Sequence, residues 1–407
     1  MGKALFFSRF YYILFFILAL SIPFTPILYF FVTPLLLILW LIEGEWKVKW
    51  NQMKESGTLI LAGALSLFWL INLIGLFYST DLIKGFMRTY DKLPFLVYSL
   101  VFFTLQKNFY TEIKLHTLLK GFICATAIML LICWSLAFVQ FFKTGSTTFF
   151  YYTNFSHYFG HPSYCALIVS VAFCVLYFDY RNTTKSYQWL YAGAMLFFAV
   201  SIYFLQSRSG ILAFFFLLIF LLFYDLRRLR KRFWHTCCGL IFIVIFSATI
   251  IYFFPSRVGS LVDKMKTEHV ETTTLLGARS EIWGIGYHLA MKNIVWGIGT
   301  GYPNGDYLSE KEQTIINPNQ SFINTHNQFL QTFLEHGILG LGVLVFMMVY
   351  SFYYAIKTKN YLLLMLVLGF FIHIFFESMF ERGHGIITFC FFYGLLIKIS
   401  AQRHGGP

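Results

Sequence analysis

INTHNQFLQTFLEHGILG, residues 323–340, decides how this chain is read. It starts polar, gains Phe329, Phe333 and Leu334 at helical spacing, and passes through Gly337 and Gly340 into an apolar run. Working back from it, roughly eighty residues from about Pro255 hold no run long enough to span a bilayer. GARSEIW (277–283) and the glycine-rich WGIGTGYPNGD (296–306) lie in the same stretch. Polar backbone is costly in lipid unless a complete helix satisfies it, so this segment belongs in water or against the membrane face.

The rest of the chain sets the class. Of 407 residues, 58% are hydrophobic and 12% charged, whereas soluble domains carry about 25% charged residues. An all-α, polytopic membrane protein follows, with 51 Phe and 26 Tyr supplying lipid-facing and interfacial bulk. The net charge of +13 is spread through short loops rather than gathered on one soluble face, which argues for membrane topology and against a nucleic-acid partner. All seven Cys lie in apolar runs without metal-type spacing and read as small buried hydrophobes.

At about 20 apolar residues per crossing, about twelve spans are expected. They fall at 5–21, 25–42, 57–78, 93–106, 117–142, 163–179, 188–206, 209–226, 237–254, 337–356, 360–380 and 384–399. The organisation is then nine spans over 1–254, one large outward loop over 255–336, and three spans with a short cytoplasmic tail over 337–407. With both termini inside, the cytoplasmic side receives roughly 19 of the 31 basic residues, and the cluster at 227–232 is the strongest vote. The loop at 255–336 then faces outward, together with 79–92, 143–162, the Gln206–Gly210 turn and Glu381–Gly385.

Several polar residues could carry chemistry on that side. His326 lies at or just before a helix start that Asn324 or Thr325 can cap. The helix dipole would disfavour its imidazolium and leave a neutral proton acceptor; the bland alternative is an interfacial His that packs. Arg208 sits between two spans with almost no loop, where charge tends to have a purpose, or where it reaches for lipid headgroups. Arg279 can bind phosphate bidentately or join an ordinary ion pair. The alternating Gly297, Gly299 and Gly301 suggest a tight turn, with a backbone phosphate cradle as the weaker reading. Gly337 marks a break or close packing at the next span. His157, His161, His373 and His384 are further polar groups near this face, and Glu377 is expected to pair with a base, Arg382 being the plausible partner. No HExxH, acidic metal cluster or Gly-x-Ser-x-Gly is present, which disfavours metal-dependent and serine-nucleophile chemistry.

These features together resemble the bacterial O-antigen ligase and polymerase superfamily. The likeness rests on many spans, a long outward loop late in the chain, and His326-Asn327 followed by nine residues, Gly337 and Gly340. Ser207-Arg208-Ser209-Gly210 is similar to the family's Ser-Arg-Gly turn with one residue intervening, and Arg279-Ser280-Glu281-Ile282-Trp283 resembles its Arg-x-x-x-Trp element. The resemblance implies a glycosyltransferase at the outer face of the bacterial inner membrane, working without metal or nucleotide cofactor. Its donor would be a glycan on undecaprenyl diphosphate. Its acceptor would be lipid A–core in a lipopolysaccharide ligase, a second lipid-linked glycan in a polymerase, or a protein hydroxyl in an O-oligosaccharyltransferase.

On this basis His326 is the expected base, and Arg208 and Arg279 hold the diphosphate. Asn327, Lys84, Arg88, His161 and Arg382 are expected to touch substrate or attract it from among the membrane lipids, while Gly299, Gly301, Gly337 and Gly340 are structural. A transporter is the rival from another class, since about twelve spans is a common permease count. Two unlike halves and polar groups gathered at one face favour the enzyme.

Overall fold

Runs of Phe, Leu and Ile with scarcely a helix breaker leave the backbone one way to satisfy its polar groups away from water, the α-helix. The computed structural model describes residues 2–105, 112–228, 275–302 and 324–404, and among these it is all-helical, without a strand. The helices are α1 (Gly2–Ser21), α2 (Ile27–Glu43), α3 (Trp46–Glu55), α4 (Leu59–Leu76), α5 (Leu82–Asp91), α6 (Leu93–Thr104) and α7 (Glu112–Thr144). They continue with α8 (Tyr152–Phe155), α9 (Pro162–Asn182), α10 (Lys185–Leu205), α11 (Arg208–Arg228), α12 (Leu275–Lys292), α13 (Gln328–Lys357), α14 (Tyr361–Phe376) and α15 (Gly383–His404).

Among the described residues six helices are long and apolar enough to cross a membrane, or seven if the bent pair α2 and α3 counts as one. The expected number was about twelve, and the difference has identifiable causes. Residues 237–254 lie outside the described residues. The run at 93–106 folds as a helix of 12 residues, below the length of a crossing. The apolar parts of α1, α14 and α15 are also short, at Phe6–Ser21, Tyr361–Phe376 and Gly383–Ile399.

Half of the expected long loop also lies outside the described residues, but its described parts are ordered differently from a plain loop. Residues 275–292 form α12, and α13 begins at Gln328, nine residues ahead of the expected span. Gly337 then breaks α13 in mid-course with φ 62° and ψ −160°. A side chain there would be strained and would collide with the Ile294 and Val295 carbonyls.

Short connections make successive helices antiparallel and bring particular ends together. Two residues join α9 to α10, two join α10 to α11, and three join α13 to α14. Consequently the starts of α9, α11, α13 and α15 share one end of the bundle with the finish of α14. The most enclosed span is α9, packed against α7, α10, α11 and α14.

Between α14 and α15 the chain makes a 3-10 turn, Met379–Glu381, and Phe380 anchors it. Its ring, fully buried, meets Phe95 at 5.1 Å, Phe389 at 5.0 Å, Phe68 at 5.9 Å and Phe370 at 6.2 Å between centroids. The pairs with Phe95 and Phe68 are edge-to-face, a geometry worth about 0.5–1.5 kcal/mol each beyond area burial. An aromatic core thus fixes the height of a turn whose neighbours are Glu377 and Glu381.

Candidate active site

The polar residues before α13 form a tight turn that aims His326. Asn324 Oδ1 accepts the His326 amide at 3.0 Å, Thr325 Oγ1 donates to the Asn327 carbonyl at 2.9 Å, and the Thr325 amide donates to Gln331 Oε1 at 3.0 Å. Asn327 is the N-cap, its Oδ1 accepting from the Leu330 amide at 3.1 Å. His326 therefore sits one residue before the cap, in the left-handed region with φ 50°. That unusual backbone swings its ring out of the helix and toward the end of α14.

There it meets Glu377. The imidazole Nδ1 lies 2.8 Å from Glu377 Oε1, and Arg279 Nη2 lies 3.6 Å from the other carboxylate oxygen. The carboxylate is nearly buried, while the His326 and Arg279 side chains are about a third exposed, at 30% and 32%. Burial pushes the Glu377 carboxyl up, but the His326 hydrogen bond and the charges of His326, His161 and Arg279 outweigh it and leave the group below its ordinary value of 4.5. A carboxylate facing Nδ1 requires the hydrogen there, so Nε2 is left as the proton acceptor.

The spacing of Arg279 and Trp283 follows from helix geometry. They lie one turn apart on the same face of α12. Trp283 Nε1 donates to the Thr325 carbonyl at 2.8 Å, which docks the helix against the turn and delivers Arg279 to the carboxylate beside His326. Gly286, one turn further on, has Thr325 and Leu330 against it.

The glycine-rich turn has a different role from a phosphate cradle. Its amides are taken by protein carbonyls: Gly297 by Asn293 at 2.8 Å, Ile298 by Leu334 at 2.9 Å, Gly299 by Glu335 at 2.9 Å and Thr300 by Gly75 at 3.2 Å. Gly301 donates to Ser79 Oγ at 2.8 Å. The break at Gly337 makes this possible, because it frees the Leu334 and Glu335 carbonyls from their helical partners. Gly299 has φ 92° and lies against Gly75 and Ser79, Gly301 lies against Gly85, and Gly340 lies under the His336 side chain.

Beneath the turn is a buried ionic quartet. Arg88 bonds both Glu335 and Glu381, the latter at 2.6 Å, and Lys92 lies 2.9 Å from Glu381 and 3.4 Å from Glu335. Tyr302, Gln331, Gln328 and Asn72 complete the shell around them. Arg88, expected to touch substrate, is committed here and also donates to the Thr300 carbonyl at 2.8 Å. Lys84 is half-buried and pairs with Asp81 at 3.2 Å, the N-cap of α5.

The remaining expected residues lie at the same end of the bundle. His161 caps α9, accepting the Ser163 amide, and its Nε2 is 3.2 Å from the Tyr152 hydroxyl. The residue is exposed, yet desolvation by the surrounding protein lowers its basicity, opposed by Glu377 and reinforced by His326 and Arg279. Arg208, exposed, is the first residue of α11; its neighbour Ser207 caps the helix through the Gly210 amide and bonds Ser163 Oγ at 3.1 Å. Arg382 is exposed just after the 379–381 turn. Glu377 was expected to pair with a base, with Arg382 as candidate; its ion pairs are with His326 and Arg279 instead.

Sequence reasoning passed over Glu335 and Gln328, and it grouped Lys92 with Lys84 and Arg88 as outward cations that attract anionic lipid or glycan, whereas Lys92 is buried against Glu335 and Glu381. A signal was present: Gln328, Gln331 and Glu335 recur at helical spacing on an otherwise apolar helix, and polar residues so placed face a protein interior. Among the described residues no three of His, Cys, Asp and Glu gather as a metal ion would need.

Residues 193–345 match the family model described as O-antigen ligase, which supports an O-antigen ligase-type family for the chain. The matched stretch runs from α10 through the break in α13 and includes Arg208, Arg279 and His326. No curated protein matches. This family supports, in general terms, an O-antigen ligase- or polymerase-like membrane glycosyltransferase.

Proposed function

From that family as premise, we propose that the chain is an O-antigen ligase: it transfers a glycan from undecaprenyl diphosphate to a hydroxyl of lipid A–core at the periplasmic face of the inner membrane. The convergence of His326, Glu377 and Arg279 carries the reading. Its orientation rests on the basic residues, because Lys47, Lys54, Arg181, Lys357 and Lys359 lie at the bundle end opposite to His326, and positive residues favour the cytoplasm.

In a single displacement, the acceptor oxygen attacks the anomeric carbon as His326 Nε2 takes its proton. The glycosidic bond to phosphate breaks, and the diphosphate leaves with the electron pair. Glu377 holds the imidazole in the competent tautomer and stabilises the imidazolium, as the buried carboxylate of a catalytic triad does. Arg279 and Arg208 meet the negative charge that grows on the diphosphate. No step needs a metal or a nucleotide.

The test is transfer by the purified protein in nanodiscs, given lipid-linked glycan with and without lipid A–core. His326→Ala should lower transfer by about 10²–10⁴-fold while the protein remains folded. Chain growth from lipid-linked glycan alone would instead assign a polymerase, and near-normal transfer by His326→Ala would remove the base.

A further inference from the structure

Glu377 and His326 come from segments some fifty residues apart, and something must hold their 2.8 Å contact in register. We propose that Gln328 does so, as a positioning residue that braces the two halves of the dyad; this rests on the reading of His326 and Glu377 above.

Gln328 is the first residue of α13, two positions after His326, and is fully buried. Both ends of its carboxamide are engaged across the gap. Oε1 accepts the Phe380 amide at 2.7 Å, and Nε2 donates to Glu381 Oε1 at 3.0 Å, with Thr332 Oγ1 at 3.3 Å. One bond therefore fixes the backbone of the turn after Glu377, and the other fixes that turn's only carboxylate. Glu381 in turn accepts from Arg88 and Lys92, so the quartet supplies the fixed floor on which the brace stands. Three residues separate Glu377 from Glu381, too few for the carboxylates to move independently. Arg88 and Lys92 also reach Glu381, and Gln328 adds to that grip a bond to the turn's backbone.

The chemistry of the carboxamide explains the residue type. The turn offers one donor, the Phe380 amide, and one acceptor, Glu381 Oε1, and an amide side chain presents the complementary acceptor and donor on one planar group. Glu at this position would keep the acceptor but set a second carboxylate against Glu381. Met would keep the volume and lose both bonds. A displacement of about 1 Å at a reacting group can cost about 10²-fold.

Two readouts separate positioning from mere support. The first is the His326 tautomer, read from imidazole ¹⁵N shifts of histidine-labelled protein in nanodiscs at neutral pH and assigned by difference from His326→Gln. The native protein should show hydrogen on Nδ1, and Gln328→Met should show a mixture. The second is a double-variant cycle in transfer rate. Gln328→Met alone should lower turnover about 10- to 100-fold, and combined with Glu377→Gln it should add little to the loss from Glu377→Gln, because the brace acts only through that contact. An unchanged tautomer in Gln328→Met, or fully additive losses, overturns the proposal. If Gln328→Met does not insert, Gln328→Glu carries the same two measurements. The tautomer needs no turnover, so a native protein without transferase activity whose tautomer still depends on Gln328 would sink the function and leave the brace.

Discussion

Replacing Glu377 by Gln removes one charge and almost no volume, and it isolates what the carboxylate contributes. In the native arrangement Glu377 faces Nδ1 at 2.8 Å and is only 7% exposed. In the proposed transfer, His326 would take the acceptor's proton and a full positive charge would appear about 4 Å from the centre of the carboxylate; at an effective dielectric of about 20 such a pair is worth about 4 kcal/mol. That would correspond to about 10³-fold in rate. The His326 side chain is 30% exposed and Arg279 already shares the carboxylate, so screening reduces the expected loss to about 10²-fold. A carboxamide can also turn its NH₂ toward Nδ1 and favour the wrong tautomer, which acts in the same direction. Initial rates of glycan transfer in nanodiscs, at saturating donor and acceptor, measure this directly. Glu377→Asp, which keeps the charge at a longer reach, should fall between the two. Activity of Glu377→Gln within threefold of native would refute the dyad.

Three further outcomes follow from the same geometry. Lys92→Met leaves two buried carboxylates facing Arg88 alone, and an uncompensated buried charge costs about 3–5 kcal/mol; thermal unfolding in detergent should show a large fall, with Lys92→Met/Glu381→Gln recovering part of it. Gly337→Ala should prevent folding, read as loss of the monodisperse peak on size-exclusion chromatography, because the residue has φ 62° and the new methyl would meet the Ile294 and Val295 carbonyls. The folded Glu377 carboxyl lies below its ordinary value, so its contribution to stability is complete above the unfolded value and is lost as pH falls through the lower folded one. The difference in unfolding temperature between native protein and Glu377→Gln should therefore be flat from pH 7 to about 5 and shrink below that.

Helices were legible in the sequence because greasy runs bounded by Lys, Arg and Pro leave few alternatives, and short connections set their directions. Their number was less so: the apolar run at 93–106 does not reveal that its helix, α6, is only 12 residues long and too short for a crossing. His326, Arg279 and Gly337 stood out through spacing. Glu377 was visible as a charge near a span, but its partners were not, since Arg382 is five residues away in sequence and His326 is fifty-one. Contacts between distant segments depend on how helix ends converge, and one chain's periodicity carries no information on that. Arg88 illustrates the converse. It looked like an outward cation, and only the approach of α13 and the 379–381 turn supplied the two carboxylates that enclose it.

The quartet under the site pairs two cations with two anions, so from a distance it is electrically silent. A phosphorylated lipid drifting along the membrane would feel no pull from Arg88 or Lys92, however basic that segment looks on paper. Recruitment would fall instead to basic residues outside the quartet. Chain stability and substrate capture would then draw on separate sets of charges, and either set can change without the other having to follow.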